Sequence, residues 1–228
     1  MPADRHPEAP RLPAGLPRLR LERPIGDGDA FTGAEIPGAS AVDLRVAALE
    51  LAEVVLREPD LTGAVLTDAV ARDTVIDNPN LANATLRGGT LTRVAVNGGR
   101  LTGLQVTETE IRDGVWSGCG ADLATFRHAR LAHVTFQDCS LRESDFTGVR
   151  AERVRFLDCD LRGAGFHHAE FTCSELRRCR LDDIEGVEGL RGTSMELGEL
   201  VSLAPLLARA LGVGVLPHSA DASRGSRG

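Results

Sequence analysis

The chain has 228 residues, of which 42% are hydrophobic and only 4% aromatic, so its core must be built mainly from small and branched aliphatic side chains. Its 26 basic residues are all arginine and are outnumbered by 33 acidic residues; the formal charge of −7, without a concentrated basic patch, argues against direct binding of nucleic acid. No run of 18 apolar residues exists to span a membrane, and the five cysteines, without secretory features, are expected to be free thiols in a cytoplasmic protein.

The first element in chain order is an N-terminal segment, residues 1–28, that is rich in proline and in charged residues. It contains no apolar stretch long enough for the hydrophobic region of a signal peptide. We expect this segment to be mostly disordered and to precede the folded domain.

The second element, residues 29–186, carries a hydrophobic residue at every fifth position. All 30 positions from Ile36 to Leu181 in steps of five are hydrophobic, although hydrophobic residues make up only 42% of the chain. The positions two residues earlier carry uncharged and mostly small residues. A doublet that is spaced by two and repeats at five is neither a helical period nor a simple strand period. It predicts short strands, each followed by a corner, with two side chains of every five pointing inward.

A slower period of 20 residues indicates that four such strands make one turn of a square coil. Equivalent side chains of successive turns would then lie in vertical stacks at the strand spacing of about 4.8 Å. The predicted core stacks are the cysteines Cys119, Cys139, Cys159 and Cys179, the phenylalanines Phe126, Phe146 and Phe166, and the series Trp116, Phe136 and Phe156.

Several units closely match a known repeat, among them residues 144–148 (Ser-Asp-Phe-Thr-Gly), 159–163 (Cys-Asp-Leu-Arg-Gly) and 79–83 (Pro-Asn-Leu-Ala-Asn). They resemble the pentapeptide-repeat family, whose unit is written Ala-(Asp/Asn)-Leu-X-X. The resemblance implies an all-β solenoid, a right-handed quadrilateral parallel β-helix with a C-terminal helical cap.

The resemblance is weakest over residues 41–58. Leu44, Leu49 and Val54 are larger than the small residue that usually stands two places before the central position. The doublets keep their phase there, which favours the β-helix, but an α-helix also fits this stretch.

The third element, residues 187–216, is predicted to be a helical cap. Thr193 and Glu196 have the spacing of a capping box, and Pro205 is expected to kink or split the helix. The apolar residues exceed what one helix face needs, so we expect the cap also to join two copies into a homodimer. The residues assigned to the cap and the dimer contact are Leu197, Leu200, Val201, Leu203, Leu207 and Leu211. The polar tail, residues 217–228, is expected to be disordered.

The cysteine stack does not predict a metal site, because ligands on a straight line with steps of about 4.8 Å cannot converge on one tetrahedral ion. Cys173 stands at an outward position and is the candidate for an accessible thiol. The outward histidines are expected to be solvated, and no nucleophile, base or phosphate loop has a recognisable pattern. We therefore expect neither an enzymatic activity nor a cofactor.

Two functions remain open at this point. The first is a rigid rod that binds a protein partner, of an identity that the sequence does not give, through arginine–carboxylate pairs. The alternative, implied by the resemblance, is a DNA-mimicking modulator or protector of DNA gyrase or another type II topoisomerase, as in quinolone resistance. Its possible acidic partner surface is Asp77, Asp138 and Asp158, although residues 61–180 carry as many arginines as acids.

Overall fold

A computed structural model describes residues 6–214 and shows a chain of short parallel strands followed by one helix. The strands are β1 (Ala30–Thr32), β2 (Glu35–Pro37), β3 (Arg45–Ala47), β4 (Glu50–Ala52), β5 (Val55–Arg57), β6 (Val65–Thr67), β7 (Val70–Asp77), β8 (Thr85–Arg87), β9 (Thr90–Asn97), β10 (Gln105–Thr107), β11 (Glu110–Ser117), β12 (Arg130–Gln137), β13 (Arg150–Glu152), β14 (Arg155–Leu157), β15 (Glu170–Thr172), β16 (Ser174–Arg177) and β17 (Thr193–Met195). A 3₁₀ helix (Val187–Leu190) precedes β17, and α1 (Leu197–Ala210) follows it.

The strands wind into a four-sided coil in which each residue pairs with the residue 20 positions further on, as Val70 does with Thr90. We number the sides by their central residues, which recur every 20 positions: side 1 from Phe31, side 2 from Ile36, side 3 from Ala41 and side 4 from Val46. Sides 1 and 2 belong to one 13-stranded sheet, and side 4 carries a four-stranded sheet. Side 3 is joined by single bridges between successive turns. The predicted right-handed quadrilateral β-helix, of about 8 turns, is confirmed.

The tube is filled by the two inward residues of each unit. The structure stacks Phe126 on Phe146 and Phe146 on Phe166 with ring centroids 5.1 and 5.3 Å apart and rings almost parallel. Phe136 lies on Phe156 in the same way, at 5.2 Å, and Trp116 lies above Phe136 with a tilted ring. The sequence placed these side chains in the same stacks.

The corners of the coil depend on one backbone conformation. Every fifth residue from Gly33 to Asp183 has a φ between 47° and 70°, the left-handed region. Glycine adopts this region at little cost, but other residues are strained there by about 1 to 2 kcal/mol. In the described part of the chain, all non-glycine residues with positive φ fall on this corner series, including Leu123 and Arg153. The coil-to-coil hydrogen bonds therefore impose the corner even on residues that disfavour it.

Residues 41–58 form β3, β4 and β5, so this stretch is β-helix and not α-helix. Leu49 and Val54 are buried in the tube as their phase predicted. Leu44, in the first turn, is the exception and is exposed.

The aliphatic half of the tube is less well filled than the aromatic half. A cavity of about 90 Å³ lies among the inward residues of the turns that contain Ala71, Ile76, Leu81 and Leu86. Its lining is apolar, which is the character of interior spaces that stay dry. The phenylalanine stacks begin only after Trp116. In the earlier turns most inward side chains around the cavity are aliphatic, and they leave this space at the centre of the tube.

The N-terminal segment differs from its prediction. Residues 6–28, expected to be mostly disordered, are described as part of the folded structure. Residues 17–28 cover the first turn: the Leu19 N–H donates to the Glu35 carbonyl, and Ile25 plugs the tube and is fully buried. The prediction from composition was wrong, because a segment that cannot form a core of its own can still become ordered by packing on the surface of the coil.

The C-terminal end is covered by the 3₁₀ helix and α1, which supply the buried side chains of Leu190 and Leu203. The Glu199 carboxylate on α1 accepts the N–H of Cys179 at the edge of the last turn. The predicted capping box is wrong, because residues 193–195 pair with β16 as strand β17. α1 instead begins after Glu196, without a side-chain cap, and continues through Pro205 unbroken. The predicted tail, residues 217–228, lies outside the described residues.

The corner geometry predicts that Leu123→Gly stabilises the protein. The Leu123 side chain is 57% exposed, so little burial is lost while the strain at φ 61° is relieved. We expect the free energy of unfolding in urea to rise by about 0.5 to 1 kcal/mol. Ala132→Gly, in the middle of β12, is the matched control and should lower it by about 0.5 to 1 kcal/mol. A loss of stability in Leu123→Gly would contradict the assignment of corner strain.

Candidate functional surfaces

The cysteine stack is part of the core. Cys119, Cys139 and Cys159 are buried and Cys179 is half-buried, and all are free thiols. Each thiol is placed to donate to a carbonyl oxygen of the preceding turn, as Cys139 is to Trp116 at 3.3 Å and Cys159 to Phe136 at 3.4 Å. The neighbouring thiol of Cys139, together with burial, raises the pKa of Cys119 and Cys159. A raised pKa makes the thiols of Cys119 and Cys159 poor nucleophiles and poor metal ligands.

The outward cysteine and histidines stand apart from the core stacks. Cys173 is exposed at a corner. His167 lies 3.5 Å from the Glu185 carboxylate and 3.7 Å from that of Glu188, at the C-terminal end of the coil. Within residues 6–214 no group of three or more His, Cys, Asp or Glu side chains is placed to hold a metal ion.

The outer surface of the coil carries ion pairs between successive turns. Six of them join residues 20 positions apart: Arg57–Asp77, Arg93–Asp73, Arg150–Glu170, Arg155–Glu175, Arg178–Asp158 and Arg180–Asp160. Because residues 20 apart are stacked, a charge of one sign faces a charge of the opposite sign one turn away. Sequence reasoning missed these pairs, but opposite charges at i and i+20 are a signal that could have found them.

The predicted acidic surface is largely neutralised by these pairs. Asp77 binds Arg57 at 2.7 Å and accepts a hydrogen bond from Asn97 at 2.8 Å. Asp158 accepts hydrogen bonds from Nε and Nη2 of Arg178, at 2.6 and 2.7 Å, and these bonds lower the pKa of its carboxyl group. The three acids Asp77, Asp138 and Asp158 share side 2, as predicted, but they do not form an uninterrupted negative band.

The largest exposed apolar residues of the C-terminal cap lie on α1 and directly after its C-terminal end. Leu203 is buried against the coil, and Leu207 is partly buried. Leu197, Val201 and Leu211 are 76%, 65% and 78% exposed, and Leu200 is also exposed. A groove of about 280 Å³ runs between α1 and the 3₁₀ helix, with Leu190, Met195 and Leu207 in its wall. The five leucines and one valine assigned to the cap therefore divide into an inner set and an outer set.

A second surface, on side 2, is covered by the chain itself. Residues 6–18 run lengthwise along the corner between sides 1 and 2, and the Arg11 N–H donates to the Asp73 carboxylate at 2.9 Å. Sequence reasoning missed this contact, because it joins residues 62 positions apart and lies outside the repeat. No helix of the described residues is long and apolar enough to cross a bilayer.

Comparisons with known proteins agree with this architecture. A family model described as a pentapeptide repeat region matches residues 89–166 and 116–185, and one described as pentapeptide repeats (8 copies) matches residues 50–88. No curated protein matches the chain.

Solved structures with a similar fold include QnrB1, a plasmid-mediated fluoroquinolone resistance protein. A trypsin-treated variant of it is 15% identical over 84% of this chain and 99% of that chain, with a TM-score of 0.46. HetL, a pentapeptide repeat protein involved in heterocyst differentiation regulation from the cyanobacterium Nostoc sp. strain PCC 7120, is 18% identical over 80% of this chain and 90% of that chain, with a TM-score of 0.29.

Thiol exposure gives a direct test of the inward and outward assignments. In the native protein we expect the thiol of Cys173 to react rapidly with an aromatic disulfide reagent, that of half-buried Cys179 to react more slowly, and those of Cys119, Cys139 and Cys159 to react only on unfolding. Cys173→Ser should remove the fast phase, whereas Cys139→Ser should leave it unchanged. Rapid reaction of several thiols in the folded protein would show that the cysteine stack is not enclosed.

Proposed function

The chain belongs to the pentapeptide-repeat family, and we propose that it is a non-catalytic, rigid rod for protein recognition that pairs with a second copy through α1. The observation that carries this proposal is the exposed apolar side of α1 at the end of a rod whose own sides are covered with ion pairs. Exposed apolar patches on folded proteins mark sites of association.

The exposed side of α1 has the composition of a dimer contact. Leu197, Val201 and Leu211 would each contribute about 1.5 to 3 kcal/mol if they were buried. In a two-fold contact the same residues are used by both copies, so this contribution is doubled. The sum exceeds the lower estimates, about 4 kcal/mol, of the loss of translational and rotational freedom on association. Such a dimer would be two rods joined end to end at their C-terminal caps.

The sides of the rod suit the recognition of proteins rather than catalysis. Parallel strands hold the outward side chains at fixed intervals, so an array of arginines and carboxylates is presented on a stiff surface. Exposed ion pairs contribute little stability but give orientation and specificity to an encounter. The absence of catalysis, the absence of a cofactor and the cytoplasmic location stay predictions from the sequence.

The alternative, a DNA mimic that acts on a type II topoisomerase, is not favoured by the surface. A DNA mimic needs a band of unpaired negative charge, whereas Asp77 and Asp158 are held by arginines of the neighbouring turns. The experiment that decides is the supercoiling of plasmid DNA by DNA gyrase with and without a fluoroquinolone. We expect a large molar excess of the protein to leave both reactions unchanged. Protection from the drug, or inhibition of supercoiling, would replace the proposed function with this alternative.

The dimer is tested by the mass in solution and by charge placed on α1. We expect the wild-type protein to have twice the mass of the chain by light scattering, and Val201→Glu to have the mass of one chain with an unchanged melting temperature. Leu123→Glu, an equally exposed apolar residue on the rod, is the control and should remain dimeric. A wild-type protein that stays monomeric at about 100 µM would contradict the α1 contact, since a two-fold apolar interface of this kind implies a micromolar or lower Kd.

A further inference from the structure

Side 2 carries an outward column of apolar residues in place of the usual polar ones. The column consists of Val55, Val75, Ala95 and Val115, which stack one turn apart. Val55 is only 7% exposed, whereas Val70, an outward valine on side 1, is 45% exposed. Val55 is therefore buried, and Val75, Ala95 and Val115 are half-buried.

Residues 6–18 form a covering segment that runs beside this column, from the first turn towards the later turns. At one end the Glu35 N–H donates to the Pro17 carbonyl at 2.9 Å, and at the other end Arg155 Nη1 lies 2.7 Å from His6 Nδ1. Between them the Arg11 N–H donates to Asp73 at 2.9 Å and the Glu8 N–H to Asp113 at 3.2 Å.

The two aspartates stand at a fixed place in the coil. Asp73 and Asp113 are corner residues that are 40 positions apart, which is two turns, or about 9.6 Å along the axis. The corner of the turn between them is Arg93, which binds Asp73 through two hydrogen bonds of 2.6 and 2.7 Å. Asp73 is buried, and the hydrogen bonds from Arg93 outweigh the effect of burial and lower the pKa of its carboxyl group. The two carboxylates that accept hydrogen bonds from the segment are thus two turns apart.

The covering segment has a sequence repeat whose length is close to the distance between the two aspartates. Its prolines Pro7, Pro10 and Pro13 are three residues apart, and the two N–H donors are the residues that directly follow the first two prolines. A polyproline II helix has three residues per turn and rises about 3.1 Å per residue, so three residues span about 9.3 Å. Pro7 and Pro10 are half-buried, so one edge of such a helix faces the column there, whereas Pro13, next to the bend at residues 14 and 15, is exposed.

We propose that the column of Val75, Ala95 and Val115, with Asp73 and Asp113 beside it, is a binding site for a polyproline II segment with proline at every third residue. The chain's own residues 7–13 are its resident ligand. A proline-rich segment of a partner protein binds by displacing them: its prolines lie on the column, and the N–H after each proline donates to an aspartate. The site is separate from α1, so it does not depend on whether the protein dimerises.

The resident ligand sets a threshold for a partner. A tethered segment has an effective concentration in the millimolar range, so a free segment of equal affinity competes poorly until the tether is cut or the segment is removed. Cutting the tether or removing the segment would therefore make the site accessible to a partner without any other change in the protein.

The test uses the full chain with a specific protease site inserted at the exposed bend formed by Ala14 and Gly15, so that folding precedes cleavage. A fluorescent peptide of residues 6–14 is then titrated, and its anisotropy is measured. We expect saturable binding to the cut protein with a Kd below about 1 mM, and binding about tenfold weaker or less to the uncut protein. A peptide that keeps only the three prolines, with alanine elsewhere, should bind the cut protein within about tenfold of the native peptide.

Three controls define the site. A peptide with alanine at all three proline positions should bind at least about tenfold more weakly, because it is not held in the polyproline II conformation. Asp113→Ala should weaken binding, and Asp138→Ala, an exposed corner residue of side 2, should not. No saturable binding by the cut protein, equal binding of the proline-free peptide, or failure of the three-proline peptide would each overturn the proposal.

Discussion

The backbone hydrogen bonds between successive turns are the interaction on which the rest of the structure depends. They fix each residue directly above the residue 20 positions later, as in the pairing of Val70 with Thr90. With this register set, two side chains of every five are enclosed in a tube without water, where an unpaired charge would cost several kcal/mol. The fifth residue must turn the corner with a positive φ. The doublet, the corner and the stacks are therefore consequences of one register.

This dependence explains which parts of the fold could be predicted. The inward positions and the cysteine and phenylalanine stacks follow from a period that the sequence repeats many times. Local rules failed at the ends, where no period exists: Thr193 fits a capping box but pairs with β16, and Ile25 plugs the tube from a segment whose composition suggested disorder. The structure of such regions depends on a single buried side chain or on the strand with which they pair. Neither can be recognised from a short stretch of sequence.

The surface could be predicted only in part, for a related reason. The register shows which charges are stacked, so the pairing of Arg178 with Asp158 is implicit in their spacing. It does not show how an arginine divides its contacts, and Arg57 in fact lies between Glu35 and Asp77 and binds both. Once acids and arginines are paired along the rod, little unbalanced charge is left on its sides. Association then depends on the places where the pattern is broken, which are the apolar side of α1 and the valine column of side 2.

A surface that repeats along an axis selects ligands whose own repeat matches it. An α-helix has a pitch of 5.4 Å and drifts by about 0.6 Å against each turn of 4.8 Å, so its side chains soon lose register. An extended strand returns a side chain to the same face after about 6.6 to 6.8 Å, which matches neither one turn nor two. Three residues of polyproline II differ from two turns by only about 0.3 Å. Because Arg93 stands between Asp73 and Asp113, the two acceptors are separated by two turns and not by one. This separation matches the distance between the N–H groups that follow Pro7 and Pro10.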